Sequence, residues 1–257
     1  MLYGKSSTEA QVTSHVVEVN HKNYILSGYV GAAPVRGFYL EGNEVNDNGL
    51  PQGFLVEQPP GAVTNPHFHE TNQFQVIVKG DGMFGKKPII PLSVQYANAH
   101  TPYGPIVSGE NGVTYFTLRA SWDPGAKYMP AARDKLVKGN QRSKLVAGLP
   151  IDTLESRAAR KVPMTDTIIA EEADRLAVWR LCLGPEQTTV APDPAGSGGQ
   201  YIVVSEGCLI HRGEDFPCLS VLFVTEDEPA LRIAAGAEGL DLLVLQFPKR
   251  RPWPCMD

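Results

Sequence analysis

The stretch PPGAVTNPHFHETNQFQVIVKGDG, residues 59–82, decides the fold. His67 and His69 are two apart, so on a strand both imidazoles project from one face, roughly 6.6 Å apart along the chain. Two rings so placed can converge on one ion about 2.1 Å from each nitrogen. A third donor cannot come from the same straight strand, because Gln73 would lie roughly 13 Å beyond His69. The turn-forming Glu70-Thr71-Asn72 folds the chain back instead, so that Gln73 begins the neighbouring strand and faces the same cavity. On that strand Gln73, Gln75 and Ile77 share one face, while Phe74, Val76 and Val78 share the other. Two glutamines looking into a barrel suit a polar pocket better than a packed core.

Outward from this stretch the chain reads as closely spaced short strands. Val12–Val19, Tyr24–Val30, Val35–Leu40 and Phe54–Gln58 precede it, and Phe74–Lys79, Leu92–Ala97 and Val113–Ala120 run through and beyond it. Gly, Pro or Asn punctuates the gaps, as in GNEVNDNGLPQG and KGDGMFG, which points to a barrel or sandwich rather than βαβ units. From about residue 122 to 161 the character changes. AARDKLVKGNQRSKLVAG, after Pro130, reads as a connecting helix and loop, and IDTLESRAARK as a second short helix. Strands resume at Leu176–Leu183, Tyr201–Ser205, Leu219–Thr225, Leu231–Ala234 and Leu242–Phe247. A degenerate repeat links the halves: Gln73 and Gly80 bracket six residues, as do Gln200 and Gly207.

The stretch around the histidines resembles the first motif of the cupin superfamily. That motif has Gly, five residues, His-x-His, three residues, an acidic residue, six residues, then Gly. Here the positions are Gly61, His67, His69, Gln73 and Gly80, with Gln73 replacing the usual Glu. The resemblance implies an all-β chain of two tandem cupin barrels of the double-stranded β-helix, or jelly-roll, type, joined by a partly helical linker. The expected division is residues 1–125 for a barrel with a metal site, 126–165 for the linker, and 166–257 for a degenerate barrel. It implies a divalent metal, Fe(II) first, with Mn, Ni or Zn as alternatives.

The second cupin motif normally adds one histidine after a Pro-x-Gly turn, and LSVQYANAHTPYGPI departs from it. Alignment of the strand puts Tyr103 at the ligand position, whereas His100, three residues earlier, is the better ligand chemically. The metal set read from the sequence is therefore His67, His69, Gln73 and His100, with Gln73, Tyr103 and Arg119 as groups that position substrate or water. Replacing Glu by Gln weakens the hold on a divalent ion without abolishing it, since all-imidazole sites exist. Thiol dioxygenases and gentisate-type dioxygenases among the cupins resemble this chain in using three histidines without the acidic ligand. In the second half the same spacing puts Pro194 and Gly196 at the histidine positions. His211 is the only histidine there, so no metal is expected.

Arg119 ends the strand VTYFTLRA on the face of Tyr115 and Thr117. Turned inward, its fork suits a substrate carboxylate; turned outward, it is an ordinary surface or salt-bridged arginine. His15 and His21 read as solvated, and Tyr29, Phe38 and Tyr39 as core or dimer contacts. Cys182, Cys208, Cys218 and Cys255 show no CxxC spacing, which argues for reduced, mostly buried thiols rather than a disulfide framework or thiolate zinc site. A net charge of −5 without a basic run argues against nucleic acid. No apolar run approaches a membrane span, and the first residues lack a signal-peptide core. The expectation is a cytoplasmic homodimer acting on a small molecule. Its function is that of a metal-dependent bicupin, most simply a non-haem Fe(II) dioxygenase of a small organic acid or aromatic compound. The rival is a non-enzymatic small-molecule-binding or storage-type cupin with structural metal or none; a regulatory sensor is a third reading.

Overall fold

The computed structural model describes residues 1–42, 46–139 and 141–249; Cys255, expected to be a reduced thiol, and part of the GNEVNDNGLPQG loop lie outside them. The fold is all-β, a two-domain jelly-roll of the cupin type. One unit comprises residues 4–151 with 219–221; the other comprises residues 1–3, 152–218 and 222 onward. No helix among the described residues is long and apolar enough to cross a membrane.

In the first unit the sheet runs in the order Ser143–Val146, Val94–Ala97, Gln73–Phe84, Ile106–Arg119, Gln52–Gln58, Lys22–Val30, His15–Val19. The two longest strands, Gln73–Phe84 and Ile106–Arg119, pair antiparallel so that Gln73 faces Arg119 and Gln75 faces Thr117. Alternation then decides what lies inside. Ile77, Tyr115, Phe54, Val56, Tyr24 and Leu26 form one buried apolar cluster, and Gln75, Thr117 and Arg119 continue the same inward face toward the barrel mouth. Phe74, Val76 and Phe116, pointing the other way, are also fully buried.

Three expectations change. Val35–Leu40 forms no strand: Pro34 and Gly37 interrupt it, and its backbone groups bond instead to a later segment, Tyr39 N–H to the Ala126 carbonyl at 3.0 Å and the Gly37 carbonyl to the Tyr128 hydroxyl at 2.9 Å. The stretch after Pro130 carries only a one-turn helix, Arg133–Lys135. Its later residues, Ser143–Val146, pair with Val94–Ala97 and extend the first sheet. The segments expected at Leu231–Ala234 and Leu242–Phe247 belong, apart from their outer residues, to one long strand, Arg232–Gln246. The short helix expected in IDTLESRAARK is present at Leu154–Ala159, capped by the Thr153 side chain.

The second unit repeats the device with an apolar interior. Its sheet runs Leu2–Lys5, Val221–Val224, Gln200–His211, Arg232–Gln246, Ala177–Leu183, Met164–Ile169. Ile202, Val204, Leu222, Ile233, Leu242 and Val244 fill it. Gly80 and Gly207 hold equivalent places in their own units: φ is 74° and 72°, and a Cβ on either would lie 2.1 Å from the carbonyl oxygen of Gly112 or Gly239 respectively. Only glycine fits both demands.

Candidate functional site

His67 opens a two-residue strand, His67–Phe68, paired with Lys127–Tyr128, and His69 follows directly after it. A reciprocal backbone pair links His67 to Tyr103, with N···O distances of 3.1 and 3.0 Å. Strand alternation turns both imidazoles into a cavity of about 90 Å³ and Phe68 away from it; Tyr24, Gln75, Tyr103, Thr117, Arg119 and Tyr128 share the lining. The rings stand 5.2 Å apart at 89°.

The second nitrogen of each ring is already committed. His67 Nδ1 donates to the Asn65 carbonyl at 2.7 Å, and His69 Nδ1 to the Asp123 carboxylate at 2.6 Å. Each ring therefore carries its proton on Nδ1 and a lone pair on Nε2, the tautomer that metal-binding histidines adopt. Burial, reinforced by His69, lowers the His67 pKa to about 3. Burial and the Arg119 guanidinium lower that of His69 as well. Both rings are neutral donors. Burial alone would raise the Asp123 carboxyl, but His69, Arg119 and the Gly125 amide outweigh it and hold it well below the ordinary carboxylate range. Asp123 also accepts from the amides of Glu70 and Gly125, each at 2.9 Å, so its position is rigid.

The remaining sequence candidates separate. Tyr103 lies 4.5 Å from His67, ring to ring, and its hydroxyl accepts from the Gln73 amide. Burial raises its pKa well above the usual phenol value, so it acts as a neutral hydroxyl. His100 is not brought to the cavity. Its ring stacks 5.5 Å from Phe68, on the opposite side of the histidine strand, while its backbone N–H bonds the His69 carbonyl at 2.7 Å. With φ at 55°, it lies in the turn before Tyr103, whose backbone bridge to His67 sets it beside the histidines. Gln73 is buried behind the cavity wall. Gln75 lines the cavity, and its Oε1 is buried without a hydrogen-bond partner.

Arg119 turns inward and is 2% exposed. Its Nε donates to Gln73 Oε1 at 3.2 Å, its Nη1 to Gln52, and its Nη2 lies 3.0 Å from His69 Nε2. Asp123 is 3.9 Å from Nη1. Sequence reasoning missed Asp123, Gln52, Lys127 and Tyr128. The Asp-Pro-Gly at 123–125 signals a turn, but nothing in it reveals a partner 54 residues upstream. Lys127, almost fully buried, pairs with Glu70 at 3.1 Å and lies 3.8 Å from the centre of the Tyr39 ring.

In the second unit Gln200, the counterpart of Gln73, binds Gln246 at 2.8 Å, and His211 lies at the far end of the same strand. Asp152, Cys182 and Asp241 are the only three His, Cys, Asp or Glu side chains whose donor atoms converge among the described residues. Their carboxylates are taken by Arg160 and Arg180, which makes them an ion-pair cluster rather than a cation site.

No protein-family model matches the chain, and no curated protein matches it in sequence. Solved structures match its fold. A candidate dioxygenase from Nostoc punctiforme superposes with a TM-score of 0.61 at 10% identity, over 99% of this chain and 81% of that one. The pirin from Escherichia coli in complex with nickel(II) gives 0.56 at 12%, over 97% and 100%. Oxalate decarboxylase from Bacillus subtilis, studied for its Mn(II) centres, gives 0.51 at 11%, over 98% and 78%. At such identities the likeness establishes the cupin fold and nothing finer.

Proposed function

We propose that the first barrel is a small-molecule site built around a divalent metal held by Nε2 of His67 and His69, with Arg119 receiving an acidic group of the substrate. The donor chemistry fits: two neutral imidazoles share one cavity, and each has its Nδ1 proton tied to an oxygen. That paired tautomer is the observation that carries the reading. The nickel(II) of the pirin and the Mn(II) centres of oxalate decarboxylase support a divalent ion on this fold without selecting iron. When bound, the ion would supply a Lewis acid and open positions for substrate, and with Fe(II) for O₂.

The chain's own residues do the rest. Asp123 fixes the His69 ring, Asn65 fixes His67, and Tyr103 offers a neutral hydroxyl. Arg119 supplies the positive charge that orients a carboxylate. A cavity of about 90 Å³ favours a small organic acid over an aromatic one, because a benzene-sized pocket needs roughly 150 Å³. Gln75 Oε1, an acceptor without a donor, favours an acid that also carries a hydroxyl. Dioxygenation of such an acid is the reaction proposed.

Metal analysis of protein purified without added ions tests this. About one transition-metal ion per chain is expected, lost in both His67→Ala and His69→Ala with the fold retained, and O₂ uptake with small hydroxy acids when the ion is Fe(II). Stoichiometric metal persisting in both variants would sink the site. The contact of Arg119 with His69 Nε2 favours a second reading, a metal-free binder of small carboxylates. Protein that takes up no metal but binds glycolate would establish that reading instead.

A further inference from the structure

The guanidinium of Arg119 stands where a metal's hold on this site would be made. His69 Nδ1 is committed to Asp123 at 2.6 Å, so the ring's lone pair is on Nε2, and Arg119 Nη2 lies against the ring, 3.0 Å from Nε2 and 3.2 Å from Nδ1. Gln73 Oε1 accepts from Arg119 Nε at 3.2 Å. Gln52 anchors Nη1 from the opposite side. One permanently charged side chain thus lies against His69 and is anchored by Gln73 and Gln52 while 2% exposed. A divalent ion on His69 Nε2 would lie close to this guanidinium and be repelled by it in a buried setting.

A small carboxylate resolves the conflict. The guanidinium prefers a bidentate carboxylate to a lone imidazole nitrogen, and the cavity beside it, about 90 Å³, has room for one. Resting on the metal reading above, we propose that Arg119 is a built-in competitor for the metal position. Its charge opposes an ion on His69 Nε2, and a small carboxylate that engages it makes ion and anion bind cooperatively. Because binding free energies are linked, the ion then strengthens anion binding by the same factor that the anion strengthens ion binding. Arg119 is on this account a positioning residue that couples the two ligands: ion and acid are each held more tightly together than alone.

Isothermal titration of chelator-stripped protein with Ni(II), with and without acetate, tests this on wild type, Arg119→Met and Arg119→Lys. In wild type, acetate should tighten Ni(II) binding by about tenfold, and Ni(II) should tighten acetate binding equally. Arg119→Met should bind Ni(II) at least about tenfold more tightly than wild type without acetate, and the acetate effect should vanish. Arg119→Lys keeps the charge but cannot span Gln52, Gln73 and His69 together. It should fall between the two, and it carries the test if the methionine variant does not fold. A folded Arg119→Met that binds Ni(II) no better than wild type, or retains the acetate effect, overturns the proposal while leaving the two-histidine site standing. Ni(II) binding unchanged by His67→Ala and His69→Ala, or absent from every protein tested, overturns both.

Discussion

His67 shows how one buried ring couples the site to stability. Free histidine takes up its proton near pH 6.5, whereas the folded ring resists until about 3. Between those values the unfolded chain binds a proton that the native chain refuses, so stability falls as pH drops through that window. A difference of this size corresponds to roughly 5 kcal/mol at its acid end. Metal-free wild type should therefore lose stability below pH 6.5, before the carboxylates titrate. His67→Gln should flatten that part of the profile, which urea unfolding between pH 4 and 7.5 will show. A second prediction concerns Gln75, whose buried Oε1 lacks a donor. Supplying one stabilises by on the order of 1 kcal/mol. Glycolate should accordingly bind about fivefold more tightly than acetate, and Gln75→Leu should erase the difference in a competition titration.

At the scale of elements, the paired long strands carry the site. Gln73 opposite Arg119 and Gln75 opposite Thr117 is a register, and a slip by one residue would turn every cavity group outward. Gly80 and Gly207 guard it, each closing against a facing glycine carbonyl. Gly80→Ala and Gly207→Ala should each cost at least about 2 kcal/mol, since positive φ and a backbone clash act together. Thermal or urea unfolding measures this. Gly80→Ala should also loosen the cavity and weaken metal uptake, whereas Gly207→Ala should destabilise without touching it. The backbone N–H of His100 provides a second positional device. By bonding the His69 carbonyl at 2.7 Å it ties the turn before Tyr103 to the histidine strand.

Across the whole molecule, polarity separates the units. The first keeps imidazoles, glutamines and an arginine inside; the second fills its core with aliphatic side chains, and Asp241 and Arg180 are among its buried charges, in one ion-pair cluster with Asp152 and Arg160. Asp241→Asn leaves Arg160 and Arg180 short of a partner and should cost about 3 kcal/mol in urea unfolding. Metal content should stay at one ion per chain, because that carboxylate serves arginines.

The sequence by itself determined the barrel architecture and the histidine pair. Strand alternation and turn punctuation are local, and the spacing of Gly61, His67, His69, Gln73 and Gly80 needs no distant partner to be read. The repeat of Gln73 and Gly80 in Gln200 and Gly207 was equally plain. Val35–Leu40 misled, since its apolar alternation was overridden by backbone bonds to residues 126 and 128. Only the tertiary structure places Tyr103 in the cavity lining and the His100 ring against Phe68. It alone set Asp123 on His69 and Arg119 across Gln52, Gln73 and His69. Those contacts join residues about 50 apart, and burial pays for bringing charges together only when every hydrogen-bonding group finds its partner in three dimensions.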